Sequence, residues 1–528
     1  MKTKIEYLSY FLYCLANILL LLNPGVFWDD WTLYNMNNKG IMSQFYGNGG
    51  VTTGYLHIFL KSIWASPILY HVLTFILQLL SVFLLFRIHG KFRMRKKISL
   101  FFLFAILMYA VLPIYDSKVT MIVFPYTLRL TSFLAAFVFL LKYRENKKRI
   151  VFRFLSLVFF FFSFFTNSLL VFYLVPIYLV IFLPFWQSFF SKNKILDYKI
   201  FLRKMFRQVL VHLDFFVLPF LFWVIKSLYF QPSQQYAAIG YNKIEVESLL
   251  EIPYRFALFV YVFFVSLFPL VKEALQIPEI WGVFIIVALF TYNWFKQRDF
   301  SFIISWKILL WGLFVLVVGV FPYLMVNKIP GFGWNSSRHQ LLIGFGLCVI
   351  LMGLLFQLKS SNLKKIFFSL LSGGFVAFTF FLNFSYFKGY IKQEVLNDYF
   401  ESQNLSSDQS QTILYQDKTD NFTQKGNPSN FYELSGILKL SHPEEKILLI
   451  KKDDFYRYEK SGSWKRRKPY FYSYNLSNYD ITKPSLELKM IYSKKTLPSF
   501  PILTFYGDYL SGNKDNWKKY FEFNLSKL

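Results

Sequence analysis

Long runs of apolar residues, separated by short polar segments, make up most of the chain as far as residue 387. An apolar run of about 18 or more residues predicts a transmembrane helix, because a helix satisfies its own backbone hydrogen bonds inside lipid. The pattern predicts about eleven spans, with the two termini on opposite sides of the membrane. Their approximate bounds are 8–26, 67–86, 98–115, 119–141, 208–230, 281–295, 302–325, 339–357 and 366–386, with two more in a hairpin over 154–190.

One apolar segment, 254–272, is long enough to span but does not fit this count. The basic segments 296–298 and 359–365 both have the composition of cytoplasmic loops, and a span at 254–272 would put them on the wrong side. We therefore expect 254–272 to be re-entrant or interfacial. Twelve spans with a cytoplasmic C-terminus are the alternative.

The pattern changes at about residue 388, where polar residues begin to dominate. We divide the chain into a membrane module, 1–387, and a soluble extracytoplasmic α/β domain, 388–528. Short runs rich in β-branched and aromatic residues predict strands in the second part. These runs are 412–416, 436–440, 446–451, 470–474 and 486–492, and the tail 514–525 predicts a short helix.

Composition and charge support a membrane protein and argue against nucleic-acid binding. The 528 residues are 55% hydrophobic and 17% charged, against about a quarter charged in soluble proteins. The net charge is +28. From residue 393 onward, 20 Lys and Arg nearly balance 17 Asp and Glu, whereas the preceding part has 38 basic and 13 acidic residues. That excess clusters in short loops between spans, which is the positive-inside pattern and implies no acidic partner.

The most unusual polar feature is the stretch "NPGVFWDDWTLYN", Asn23 to Asn35, directly after the first span. An Asp at the bilayer centre costs roughly 2.5–3.5 kcal/mol, so Asp29 and Asp30 must lie at the interface or in a wet cavity. A structural explanation is available: Asp29 N-caps a short helix and Asp30 lies in its first turn. Ionisable groups at this depth are also candidates for function.

A second candidate group is the segment 327–346, "NKIPGFGWNSSRHQLLIGFG". Its Gly and Pro residues predict a loop, after which Ser336 or Ser337 can cap the next span. Arg338 and His339 follow at the predicted outer end of that span. They are either an interfacial anchor or a binding site for a lipid-linked phosphate, which Arg binds through two hydrogen bonds.

The remaining candidates are polar or charged residues at, or close to, the predicted outer ends of spans. Each could contact a donor or acceptor substrate, and each could equally belong to a solvated loop, a hairpin turn or a satisfied polar cluster. They are Tyr34, Asp116, Lys118, Arg129, Asn167, Lys243 and Arg255.

The whole-chain architecture resembles the GT-C superfamily of membrane glycosyltransferases. The resemblance rests on an acidic pair just after the first span, aromatic-rich segments such as 54–64, a helical bundle and a terminal soluble domain. It implies transfer of a sugar from a polyprenyl-phosphate donor to a cell-envelope glycan or lipid acceptor, with inversion and with an outer-loop Asp as base. Many members show Asp-Glu where this chain has Asp-Asp-Trp, so which aspartate matches the catalytic one is open.

Under this resemblance we lean to Asp30 as the base, with Asp29 in support, because Asp29 suits the N-cap position. No metal or other cofactor is expected. The resemblance also implies an integral protein of the bacterial cytoplasmic membrane. The alternative functions are a transporter or flippase, and an O-antigen-type polymerase of lipid-linked glycans.

Overall fold

The computed structural model is predominantly helical. It describes residues 2–92, 94–183, 198–232, 247–298, 300–403, 405, 411–419, 422, 430–443, 446–464, 481–493 and 497–528. Within these residues, seven helices are long and apolar enough to cross a membrane, or eight if one bent pair forms a single span. The chain is therefore a polytopic helical membrane protein, as predicted. The number of about eleven spans stays a prediction.

The first part of the bundle extends to residue 229. Its helices are α1 Lys2–Leu21, α2 Asp30–Asn35, α3 Asn38–Gly47, α4 Val51–Ile63, α5 Pro67–Lys91, α6 Lys96–Val111, α7 Phe124–Glu145, α8 Ile150–Ser163, α9 Asn167–Phe172, α10 Leu174–Ile177, α11 Tyr198–Val211 and α12 Leu213–Tyr229. Local sequence explains their starts. At α5, for example, Ser66 accepts a hydrogen bond from the N–H of Ile68, and Pro67 occupies the first turn, where an N–H is not needed. Helices α11 and α12 meet at a bend of 62°.

The second part of the bundle extends to residue 401. Its helices are α13 Glu247–Leu250, α14 Ile252–Ala274, α15 Pro278–Phe295, α16 Trp306–Leu324, α17 Trp334–Ser337, α18 Ile343–Leu355 and α19 Ser361–Glu401. Helices α15 and α19 approach each other closely at Gly373, where an added Cβ would lie 2.8 Å from the carbonyl oxygen of Phe284. Small residues at such contacts allow membrane helices to pack backbone to backbone.

The bundle has two chemically different ends. At one end, which we call the basic end, Lys91 pairs with Glu145 and Arg153 with Asp214, joining the ends of several helices. The opposite end carries the segments 22–66, 112–123 and 325–342, and we call it the loop face. The acidic stretch and the Arg338 segment, which lie far apart in sequence, thus share one face.

Helix α14, which covers the ambiguous segment 254–272, contacts other elements near its start, in its middle and at its end. Near its start, Arg255 donates to the carbonyl oxygen of Leu324 at the end of α16, at 2.8 Å. In its middle, Ser266 accepts from the N–H of Phe332. At its end, Glu273 pairs with Lys388. Its length and composition would allow it to span, and whether it spans the membrane or lies at the interface stays a prediction.

A small α/β domain follows α19. Its described elements are β1 Gln411–Asp417, α20 Phe431–Ser441, β2 Ile447–Lys451, α21 Lys452–Lys460, β3 Leu486–Tyr492, α22 Pro501–Ser511, α23 Asp515–Lys518 and β4 Phe521–Lys527. The strands lie in the order β2-β1-β3-β4. Strand β1 is parallel to β2 and β3, and β4 is antiparallel to β3.

One of the local predictions in this domain is wrong, one holds only in part, and one lies outside the described residues. Segment 436–440 belongs to α20 rather than to a strand, because Asn430 and Glu433 form a capping box and the apolar residues that follow repeat at helical spacing. In the tail 514–525, only a short helix precedes strand β4. The strand predicted at 470–474 lies outside the described residues. The strands predicted at 412–416, 446–451 and 486–492 coincide with β1, β2 and β3.

Helix α19 joins the two parts of the chain without a break. It is 41 residues long and continues past residue 388, where the composition changes. Around that point Phe387 stacks on Tyr506 of α22 at 3.9 Å, and Lys392 pairs with Asp417 of β1. Glu279 at the start of α15 accepts hydrogen bonds from the first N–H groups of α22. The α/β domain is therefore packed directly against the loop face.

Candidate active site

The acidic stretch is held in place by side chains from distant helices. Gln393 of α19 makes two hydrogen bonds with the backbone of Val26, accepting from its N–H at 3.2 Å and donating to its carbonyl at 2.6 Å. Lys61 of α4 donates to three carbonyl oxygens at the end of α2, of which that of Met36 is nearest at 2.6 Å. These contacts fix a segment that is too short to fold independently.

The adjacent loop is tied to the same stretch by His71 of α5. One of its ring nitrogens lies 2.6 Å from the carbonyl oxygen of Asn23, and the other lies 2.6 Å from that of Val119. The ring is buried. The first and second loops of the loop face are thus joined through one side chain.

Asp30 is buried and held by hydrogen bonds from the backbone. Its side chain is fully buried, and its two oxygens accept hydrogen bonds from the N–H groups of Met121 and Ile122 at 2.7 and 2.8 Å. Those groups precede α7, so the carboxylate caps the N-terminal end of that helix. Burial raises the pKa of Asp30 well above its usual range, although the backbone hydrogen bonds oppose the shift. Both oxygens are engaged, which leaves Asp30 poorly placed to accept a substrate proton.

Asp29 lies beside it but is only half-buried. It occupies the N-cap position of α2, as predicted, but its side chain makes no capping hydrogen bond there. Instead its charge acts on Glu433 of α20. Trp28, the residue before it, has a left-handed backbone with φ of 53°, which is rare for a large side chain. The structure therefore favours Asp29 over Asp30, the aspartate we preferred from sequence, as a carboxylate that substrate could reach.

Arg338 joins the two candidate groups. Its guanidinium lies over the ring of Trp28, 4.8 Å from the ring centroid, which is a cation–π arrangement. The preceding Ser337 accepts a hydrogen bond from the N–H of Ser117 at 2.9 Å, so it connects two loops rather than capping the next span. The 327–340 segment and the acidic stretch therefore meet at Trp28.

Several basic groups surround this meeting point. Burial, together with the charge of Arg338, lowers the pKa of Lys328 to about 8. Burial also lowers the pKa of His339 well below its usual range, with Arg338 and Lys328 acting in the same direction, so its ring is neutral at pH 7. The Nε of Arg338 and the Nδ1 of His339 are buried without a hydrogen-bond partner among the described residues. Cations placed this close repel one another, and an anionic ligand would relieve that repulsion.

Two further candidates, Asp116 and Lys118, flank Ser117, whose N–H binds Ser337. Both are buried, and Lys118 donates a hydrogen bond to Asn17 of α1. Burial lowers the pKa of Lys118 to about 8, while the charge of Asp116 opposes the shift. Lys118 lines a cavity of about 70 Å³ together with Asn17 and Gln340. Both polar atoms of the Gln340 side chain lack a partner among the described residues, so the cavity is polar enough to hold several water molecules.

The other candidates are not part of this group. Arg129 donates to the hydroxyls of Thr52 and Thr53, at 3.2 and 2.7 Å, and so ties α7 to α4. Arg255 pairs with Glu251 one helical turn earlier. These two arginines have structural partners on the loop face.

Asn167 accepts a hydrogen bond from Lys226 of α12. Its side chain is therefore part of a satisfied polar cluster, which is one of the alternatives given for it from sequence. Tyr34 packs edge-on against Trp31. Lys243 lies outside the described residues.

Two residues of this site were missed by the sequence analysis. Lys328 stands in a segment that we singled out, and its proximity to Arg338 could have been suspected from the shared loop. Glu433 has no such signal, because it lies in the soluble domain and reaches Asp29 only through the packing of α20. Among the described residues, no three His, Cys, Asp or Glu side chains are grouped so that they could hold a metal ion.

Comparison with known proteins does not assign this chain to a family. No protein-family model matches it, and no curated protein matches its sequence. Evidence about its function therefore comes from the geometry of the site.

Proposed function

We propose that the chain is a GT-C-type glycosyltransferase that moves a sugar from a polyprenyl-phosphate donor to a cell-envelope glycan or lipid acceptor. One observation carries the proposal: the half-buried carboxylate of Asp29 follows directly on the tryptophan that Arg338 covers. A base and a cation for the leaving phosphate thus come from two distant segments and meet at one point of the loop face.

The chemistry uses Asp29 as the general base. Its carboxylate accepts the proton of the acceptor hydroxyl as that oxygen forms a bond to the anomeric carbon of the sugar. The bond between this carbon and the phosphate oxygen breaks, and its electron pair leaves with the polyprenyl phosphate. Attack from the opposite side inverts the anomeric centre.

Arg338 and Lys328 supply the positive charge that the leaving phosphate requires. Arg338 is the better partner for two phosphate oxygens, because its planar guanidinium presents parallel donors. The ring of His339 is neutral at pH 7 and can donate a hydrogen bond to the phosphate or to a sugar hydroxyl without adding charge. The mutual repulsion of these basic groups is what an incoming phosphate would offset.

The proposal includes eleven spans and an extracytoplasmic loop face in a bacterial cytoplasmic membrane. The basic residues of segments 87–97 and 142–153, at the opposite end, support this orientation, since Lys and Arg are enriched in cytoplasmic loops. The interfacial contacts of α14 support the odd number of spans.

The test is sugar transfer by the purified protein in lipid nanodiscs, with a panel of polyprenyl-phosphate sugars and envelope acceptors. We expect Asp29→Asn to lower transfer by about 10²–10⁴-fold, the range typical of a general base. Arg338→Ala should lower it by about 10²-fold or more, as for a lost transition-state charge partner. Asp453→Asn, an exposed carboxylate of α21, is the matched control and should transfer normally.

Full activity of Asp29→Asn would overturn the assignment of the base. If the wild-type protein instead moves lipid-linked sugar across a vesicle bilayer without transferring it, the transporter alternative replaces the transferase.

A further inference from the structure

Helix α11, at the basic end of the bundle, is amphipathic. Its 14 residues include four basic and no acidic ones. Leu202, Phe206 and Leu210 repeat every four residues, so they share one face of the helix, and all three are exposed. Arg203 and Arg207 repeat at the same interval on the adjoining side and are exposed as well. This division of side chains is typical of a helix that lies in the interface of a membrane instead of crossing it.

The charge on this surface is positive and is not balanced within the described part of the chain. There, neither Arg203 nor Arg207 lies within ion-pair distance of a carboxylate. The loop between α7 and α8, at the same end of the bundle, exposes Lys147, Lys148 and Arg149. A ligand for this surface must therefore offer negative charge to the arginines and apolar groups to the face beside them.

Arg153 of α8 fixes the direction in which α11 leaves the bundle. Its guanidinium donates to both carboxylate oxygens of Asp214, in the first turn of α12, at 2.6 Å each. It also donates to the carbonyl oxygen of Val211, the last residue of α11, at 2.9 Å, and to the hydroxyl of Tyr143 in α7, at 2.8 Å. The bend of 62° between α11 and α12 is thus held by side chains from two other helices.

The helix beyond this bend has the surface of a membrane helix. Helix α12 exposes Phe220, Trp223 and Leu228, large apolar side chains that lipid would cover. We predicted a span over 208–230, but the straight helix begins only after the bend. If α12 follows the membrane normal, a bend of 62° leaves α11 inclined at 28° to the membrane plane (90 minus 62). Its exposed apolar face can then enter the bilayer from the side.

We propose that α11 lies on the bilayer surface at the basic end and binds anionic lipid headgroups. The side chains of Leu202, Phe206 and Leu210 insert between the lipids, and those of Arg203 and Arg207 donate to headgroup phosphate oxygens. A bilayer that contains anionic phospholipid presents apolar groups and negative charge side by side, which is what this surface requires. The site is remote from the loop face and does not rest on the proposed function.

The first measurement is the depth of spin labels on α11 of the full-length protein in nanodiscs. Labels introduced by Phe206→Cys and Gln208→Cys point to opposite sides of the helix, because two residues turn it by about 200°. Cys14→Ala and Cys348→Ala remove the native thiols. We expect oxygen, which concentrates in lipid, to reach the label at 206, and a water-soluble nickel complex to reach the label at 208. Leu210→Cys repeats the lipid-facing measurement at a second position.

Arg203→Gln combined with Arg207→Gln tests the binding of headgroups. One Lys or Arg near an anionic membrane surface changes binding by about fivefold, so the ratio of inserted to detached label at 206 should fall by about 25-fold. This fall is expected in nanodiscs that contain phosphatidylglycerol and not in nanodiscs of phosphatidylcholine alone. Arg457→Gln combined with Lys460→Gln is the matched control, since it removes the same charge from an exposed helix of the soluble domain and should leave the ratio unchanged.

Three results would overturn the proposal. Equal access of the nickel complex to the labels at 206 and 208 would show a helix away from the membrane. Exclusion of the complex from both positions would show that α11 continues the span of α12. Insertion at 206 that is equal with and without phosphatidylglycerol would reject anionic headgroups as the ligand.

Discussion

At the scale of single residues, the two adjacent aspartates have different environments although their sequence context is the same. Asp30 is fully buried and engaged by two backbone N–H groups, whereas Asp29 is half-buried. We expect Asp30→Asn to lower the free energy of unfolding by about 1–3 kcal/mol, because an asparagine can accept only one of the two hydrogen bonds and presents a donor to the other N–H. The measurement is the thermal unfolding midpoint of the purified protein.

Asp29→Asn is the comparison for that prediction. It should change the midpoint less, since Asp29 is half-buried whereas Asp30 is fully buried. Equal midpoints for the two variants would contradict the structural role of Asp30.

A second residue-scale prediction concerns the pH dependence of stability. Burial raises the pKa of Glu433 from its usual 4.5 to about 7, with hydrogen bonds from Asn430 opposing the shift and the charge of Asp29 adding to it. The folded state therefore keeps a proton that the unfolded state releases, so this stabilisation is complete below pH 4.5 and is lost as the pH rises through 7.

The experiment is a comparison of wild type with Glu433→Gln, which cannot ionise. The unfolding midpoint of the wild type, relative to the variant, should be higher at pH 5 than at pH 8. A difference that is the same at both pH values would refute the assignment.

The sequence identified the acidic pair but not the different environments of its two members. Local rules placed Asp29 at an N-cap and so favoured Asp30 as the base. The groups that engage Asp30 belong to Met121 and Ile122, and a contact between segments this far apart leaves no trace in a local pattern. The same reason hides Glu433, whereas Arg338 could be selected because an arginine is unexpected at the predicted outer end of a span.

At the scale of elements, the acidic helix α2 depends on one lysine. The six-residue helix leaves carbonyl groups unsatisfied at its end, and Lys61 binds three of them. We expect Lys61→Met to lower the free energy of unfolding by about 1–3 kcal/mol and to reduce sugar transfer, because charged hydrogen bonds to buried groups are lost. Lys39→Met, at an exposed position of α3, is the control and should match the wild type in both assays.

Helices were predicted more successfully than the small elements between them. Long apolar runs identify membrane helices because lipid imposes a simple condition on the backbone, and α14 was set apart from them by the charges of its flanking loops. Segment 436–440 was mistaken for a strand because five residues cannot distinguish an apolar helix face from a strand. Its capping box begins six residues earlier, at Asn430.

At the scale of the whole molecule, the packing makes a clear prediction about sidedness. Ser62 of the loop face and Ser461 of the soluble domain are both exposed, and so is Lys147 of the basic end. With single cysteines at these positions, a membrane-impermeant reagent applied to intact cells should label residues 62 and 461 but not 147. Cys14 and Cys348, which are respectively half-buried and buried, set the background. Labelling of 147 together with 461 would contradict the topology.

The continuity of α19 has a consequence for how this chain could change in length. A helix advances by about 1.5 Å and turns by about 100° for each residue. A single residue inserted between Lys388 and Lys392 would therefore rotate everything beyond it, carrying α20 away from Trp31 unless α19 bulged to absorb the extra residue. Exchange of the soluble domain between related chains should succeed only where the junction preserves helical phase, so the two halves would have to vary together.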